Sequence, residues 1–82
     1  MEQRLRDLTP DTEALVARVE GVRHDDPIAM RLRDLGFVPG EAVRVVAKGP
    51  VGADPLLVQI GFTRFALRRA EAARVFVRPA AA

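Results

Sequence analysis

Apolar residues recur along this chain with two periods. Between Asp26 and Gly36, Ile28, Leu32 and Leu35 fall at i, i+4 and i+7, which sets three branched side chains on one helical face. Asp26 is a good N-cap, Pro27 suits the first helical position, and Gly36 stands where a helix ends on a residue at positive φ. Phe37 is placed to fold back onto the helix, and Pro39-Gly40 has the chemistry of a type II turn. A helix this short is marginal alone, so its apolar face needs a sheet to cover. Elsewhere the period is two. Glu41–Lys48 alternates with Val43, Val45 and Ala47 inward and Arg44 and Lys48 outward. Leu56–Ile60 puts Leu56, Val58 and Ile60 on the core face and Gln59 outside. After a tight Gly61-Phe62 connection, Thr63–Leu67 returns with Phe65 and Leu67 inward. Thr12–Glu20 alternates imperfectly. Leu15, Ala17 and Val19 share one face, yet Val16 is apolar on the other, so either both faces are partly covered or a bulge shifts the register.

The remaining segments read as short connections. Leu5 and Leu8, spaced i, i+3 before Thr9-Pro10-Asp11, predict one helical turn that lays two leucines on the core. Gly49–Pro55, with two glycines and two prolines, predicts a loop, and Gly21–Asp26 a polar one. Arg68–Arg74 is long enough for one helical or 3₁₀ turn before a last short strand, Val75–Val77. Unpaired sheet edges are an aggregation risk, which favours closure, and a one-turn connection before the final strand is a feature of SH3-like barrels. The expected fold is therefore mainly β: a small five-stranded SH3-like barrel with short helical turns and a lid helix between strands 1 and 2. It forms a single domain over residues 1–78, with a disordered tail at 79–82.

Composition narrows the chemistry. The 82 residues include no cysteine, which removes disulfides and thiolate sites and fits a reducing cytoplasm. The first residues do not read as a signal peptide, and no apolar run approaches the length of a membrane helix. Serine, tyrosine, tryptophan and asparagine are also absent and there is one histidine, so no usual nucleophile–base pair can be assembled and an enzyme is not expected. Gly49–Asp54 lacks the ending of a phosphate loop. The net charge is only +2 but is unevenly spread: −2 over residues 1–55 and +4 over residues 56–82, an asymmetry that suits an acidic partner.

Five stretches occur together in order: Leu5-Arg-Asp-Leu-Thr-Pro, Arg31-Leu-Arg-Asp-Leu-Gly-Phe-Val-Pro-Gly, Val43-Arg-Val-Val, Gly49-Pro…Asp54-Pro and Ala66-Leu-Arg-Arg-Ala-Glu-Ala. In sequence and spacing they resemble the FeoA family over nearly the whole chain. Asp11 departs from the family, which usually has glycine after the proline, and an extra residue near Ala53 lengthens the Gly-Pro loop. The resemblance implies a cytoplasmic SH3-like accessory protein of bacterial ferrous iron uptake, peripheral to the inner membrane through its partner, the FeoB-type transporter. The same module resembles the C-terminal domain of diphtheria-toxin-repressor-type metalloregulators, which supplies the alternative of a nucleic-acid-associated or regulatory module using the C-terminal arginines.

Two constellations are candidate sites. His24-Asp25-Asp26 is the one stretch with credible metal ligands, suited to zinc or ferrous iron. One chain offers too few neighbouring ligands, so a site here is weak, completed by solvent or bridged between two chains in a weak homodimer; the competing reading is an exposed loop histidine beside a helix cap. No cofactor is required. Phe62, Arg64, Arg68 and Arg69 interleave an aromatic with arginines, as nucleic-acid-binding barrels do. Alternation turns Phe65 into the core, which leaves Phe62 as the exposed platform. An arginine cluster with one aromatic serves a protein interface equally well, so a protein partner is expected and nucleic acid is not.

Overall fold

The computed structural model describes residues 1–80. Its elements in chain order are β1 (Gln3–Arg4), a 3₁₀ turn (Leu5–Asp7), β2 (Glu13–Val19), α1 (Pro27–Asp34), β3 (Ala42–Val51), β4 (Asp54–Ile60), β5 (Thr63–Leu67), α2 (Arg69–Ala72) and β6 (Val75–Pro79). The strands form one antiparallel sheet in the order β1-β6-β2-β3-β4-β5. Two expectations are corrected here. There are six strands, not five, because Gln3 and Arg4 pair with Val77 and Phe76. The sheet is open, not closed into a barrel: β1 and β5 do not pair, and the 3₁₀ turn packs instead against α2 and β6. Leu5 of that turn and Ala72 of α2 are both fully buried.

The core is a single cluster of branched side chains. Val43, Val45, Leu56, Val58, Leu67, Val75 and Val77 come from the inner face of the sheet, and Leu5, Leu32 and Phe37 from the segments laid over it. α1 buries Ala29 and Leu32, with Ile28 and Leu35 half-buried against the same cluster. It thus covers one face of an open sheet rather than the mouth of a barrel. Gly36 ends it at φ 112°, and the Phe37 N–H donates to the Leu32 carbonyl at 3.1 Å. The Pro39-Gly40 turn forms as expected, with the Glu41 N–H on the Val38 carbonyl at 3.1 Å.

Bulges decide the two strands whose alternation reads wrongly. In β2 the register against β6 shifts between Val16 and Arg18, so Ala14, Val16 and Val19 face the core, whereas Leu15 and Ala17 do not. In β3 the register against β4 shifts between Val45 and Ala47, which turns Ala47 outward. The Gly-Pro loop is shorter than expected. β3 and β4 continue through it as far as the Val51–Asp54 pair and turn on Gly52 and Ala53, both at positive φ. β6 likewise runs on to Pro79, which lies opposite Ala14. Residues 81 and 82, the end of the expected tail, lie outside the described residues.

Candidate functional site

The loop before α1 holds His24, Asp25 and Asp26. The structure separates their roles. Asp26 is buried, with 3 % of its surface exposed, and its carboxylate is fully engaged. Oδ1 accepts from the N–H groups of Ile28 at 2.9 Å and Ala29 at 3.4 Å, the capping geometry its position predicts. Oδ2 accepts from the Val22 N–H at 2.9 Å and from the guanidinium of Arg74. The Val22 N–H holds the pKa of Asp26 below its ordinary value, and the two helix N–H groups and the Arg74 charge add to this against the opposing effect of burial. Asp25 is exposed and paired with Arg23 at 2.9 Å, and His24 is exposed. Among the described residues no three histidine, cysteine or acidic side chains stand together to hold a metal ion. One chain therefore offers only His24 and Asp25 here, too few for a complete site.

The second candidate lies at the β4–β5 hairpin and the start of α2. Phe62 occupies the hairpin tip with its ring wholly in solvent, 106 % exposed. Arg64 stands on the outer face, where its Nε donates to Gln59 Oε1 at 3.1 Å across the β4–β5 pair. Arg68, exposed, caps α2, and its backbone N–H donates to the Glu71 carboxylate at 2.9 Å. Arg69 is half-buried rather than exposed. Its backbone N–H donates to Asp54 at 3.0 Å and its guanidinium to the Gly52 carbonyl at 3.3 Å, which ties α2 to the β3–β4 turn. Among the described residues no carboxylate forms an ion pair with the side chains of Arg64, Arg68 or Arg69. Arg4, Arg6, Arg18, Arg23, Arg31, Arg44 and Arg74 are all paired.

Two partners escape sequence reading. Arg74 meets Asp26 across 48 positions, a distance that no local pattern reports. Gln59 aligns with Arg64 on one side and Arg44 on the other, a row set by strand register and visible only as the outward position in an alternating segment.

The sequence model of the FeoA domain matches residues 3–79. None of the curated proteins matches the sequence. Among solved structures the chain is similar to FeoA of Stenotrophomonas maltophilia, crystallised with zinc and described as a prokaryotic SH3-domain protein suggested to be a ferrous iron transport activating factor. The two are 59 % identical with a TM-score of 0.85, over 93 % of this chain and 89 % of that one. It is similar also to iron(II) transport protein A from Clostridium thermocellum, at 34 % identity and a TM-score of 0.81, over 94 % of this chain and 45 % of that one. A manganese-dependent transcriptional repressor shares the fold alone, at 19 % identity and a TM-score of 0.79, with 96 % of this chain matching 42 % of the repressor. A domain match from end to end, joined to a close neighbour of the same fold, places this chain in the FeoA family.

Proposed function

We propose that this chain is a non-enzymatic accessory protein of ferrous iron uptake that docks on a FeoB-type membrane transporter from the cytoplasmic side and regulates it. Family membership and the activating role suggested for the Stenotrophomonas protein support the reading. The observation that carries it is the surface of Phe62, Arg64, Arg68 and Arg69, where an exposed aromatic ring stands with guanidinium groups that no carboxylate of the described residues neutralises. Charges at an interface rim speed encounter and set its salt dependence, while a buried aromatic or arginine anchor holds the complex. Reversing Arg64, Arg68 and Arg69 to glutamate is expected to weaken clearly, at low salt, capture by the transporter's soluble domain and by its full-length form, with a smaller effect at high salt. Binding unchanged by the reversal moves the contact to another face. Tight, salt-dependent binding to duplex or single-stranded nucleic acid by a chain that ignores the transporter favours the regulatory alternative.

Zinc in the Stenotrophomonas crystal bears on the first site. With Asp26 engaged, the reading that remains is a weak zinc or ferrous iron site bridged between two chains by His24 and Asp25 of each. Calorimetric titration is expected to show weak zinc binding that His24→Ala removes and that dilution below the dimer range also removes. Equal affinity in the variant takes the loop out of consideration.

A further inference from the structure

β5 is an open edge of the sheet. It pairs with β4 over five consecutive positions without a register shift, and no strand among the described residues lies on its other side. The two-residue Gly61-Phe62 turn closes on the Ile60–Thr63 pair, so Ile60–Thr63, Val58–Phe65 and Leu56–Leu67 are the pairs that exchange hydrogen bonds. The N–H and C=O groups of Arg64 and Ala66 therefore point away from β4. No turn, loop or side-chain hydrogen bond among the described residues reaches them, and both residues are exposed. The opposite edge, β1, is only two residues long. Proteins commonly blunt a free edge with charged side chains, proline, a bulge or a very short strand. Of these β5, Thr-Arg-Phe-Ala-Leu, has only the charge of Arg64.

The side chains along this edge state what complements it. Arg64 stands on the outer face without a carboxylate partner, and Arg68 follows one residue after the strand ends. On the inner face Phe65 is only half-buried, its ring 6.4 Å from that of Phe37. β5 carries no acid, so a second copy laid alongside it would bring cationic strands together with nothing to neutralise them. A segment that alternates acidic with branched apolar residues would instead set carboxylates beside Arg64 and cover Phe65 from the other face.

We propose that the open edge of β5 takes an extended acidic segment of a partner protein as a seventh strand of the sheet. This rests on the reading of the Phe62–Arg69 surface as a protein-docking face and gives that face its mode of recognition. Main-chain bonds at Arg64 and Ala66 supply the attachment, and the arginines select against a basic or neutral strand.

The test uses the full chain, isotopically labelled, with two synthetic peptides: acetyl-Glu-Val-Glu-Val-Glu-Val-amide and its counterpart with lysine at every glutamate. The acidic peptide is expected to shift the amide signals of Arg64 and Ala66 and slow their hydrogen exchange, and the lysine peptide to leave them unchanged. Ala66→Pro, or an N-methylated Ala66 in a chemically assembled chain, removes an outward donor while sparing the ladder to β4. Either change is expected to weaken binding about tenfold, the loss of one main-chain hydrogen bond, with the unfolding midpoint measured alongside. Should both changes disturb the fold, Arg64→Glu decides, because it is expected to turn the preference toward the lysine peptide. Equal binding of the two peptides, shifts confined to another face, or an unaltered preference in Arg64→Glu overturns the proposal. Overlapping peptides from the cytoplasmic part of a FeoB-type transporter, run in the same assay, separate the two readings. If the acidic peptide adds to β5 while no transporter peptide binds, the edge stands and the transporter reading fails. If transporter peptides bind away from β5 and the acidic peptide leaves β5 unshifted, the edge is overturned and docking stands.

Discussion

Asp26 joins three segments through one carboxylate: the loop at Val22, the first turn of α1, and Arg74 at the threshold of β6. Its pKa lies below the ordinary carboxylate value in the folded chain and returns to that value on unfolding. The stability it contributes is therefore present above the ordinary value and is lost as pH falls through the lowered one. Urea unfolding midpoints are expected to decline from about pH 5 downward, and Asp26→Asn is expected to lower the midpoint at neutral pH while flattening that decline. A variant with the wild-type pH profile assigns acid sensitivity to other carboxylates. The cap was legible in sequence because Asp26, Pro27 and the N–H groups they serve are neighbours; the ion pair was not, since a contact between residues 26 and 74 leaves no local trace. Asp11 shows the converse. It departs from the glycine usual in the family, and the structure holds it at φ 65°, a left-handed conformation unfavourable for a residue with a side chain. Asp11→Gly is expected to be neutral or to stabilise the chain by up to ~1 kcal/mol, read as a shift in the denaturation midpoint.

At the scale of elements, α1 depends on Leu32, which is 1 % exposed and projects into the same cluster as Phe37. Leu32→Ala is expected to cost about 2–4 kcal/mol through lost burial and a cavity beneath the helix, measured by chemical denaturation. A loss under about 1 kcal/mol would show that the site collapses around the alanine. The helix was readable because its cap, stripe and terminating glycine are all local. β4 and β5 were readable for a related reason: they pair without a shift over Leu56–Leu67 to Ile60–Thr63, so period two survives intact. In β2 one register shift, and in β3 two, at Val45/Ala47 and Lys48/Val51, break the alternation partway along, and nothing in the residue types marks where. β1 is invisible because two residues cannot display a period, and it exists only through its pairing with β6. The arginines of the docking surface were legible as a cluster, while the half-buried anchoring of Arg69 on the Gly52 carbonyl was not.

Across the whole molecule, the charge imbalance read along the chain is partly undone in space. Arg74 belongs to the basic C-terminal third, yet it neutralises Asp26 of the acidic segment, and Glu71 returns the exchange with Arg31 at 2.8 Å. Among the described residues the side-chain cations left without a carboxylate are Arg33, Lys48 and Arg78, set apart on α1, β3 and β6, and the group of Arg64, Arg68 and Arg69 on β5 and the start of α2. The order of strands has a further consequence. β6, the last to be synthesised, lies between β1 and β2. While a ribosome still holds Val75–Pro79, β3, β4 and β5 can already zip into a meander, but β1 has no partner and β2 is bare along one side. A message that stops at codon 74 yields a chain with Val16 and Val19 uncovered along that bare side, the kind of surface that chaperones and proteases of the cell act upon. The five residues of β6 thus decide, late in synthesis, whether β1 finds a partner and the bare side of β2 is covered.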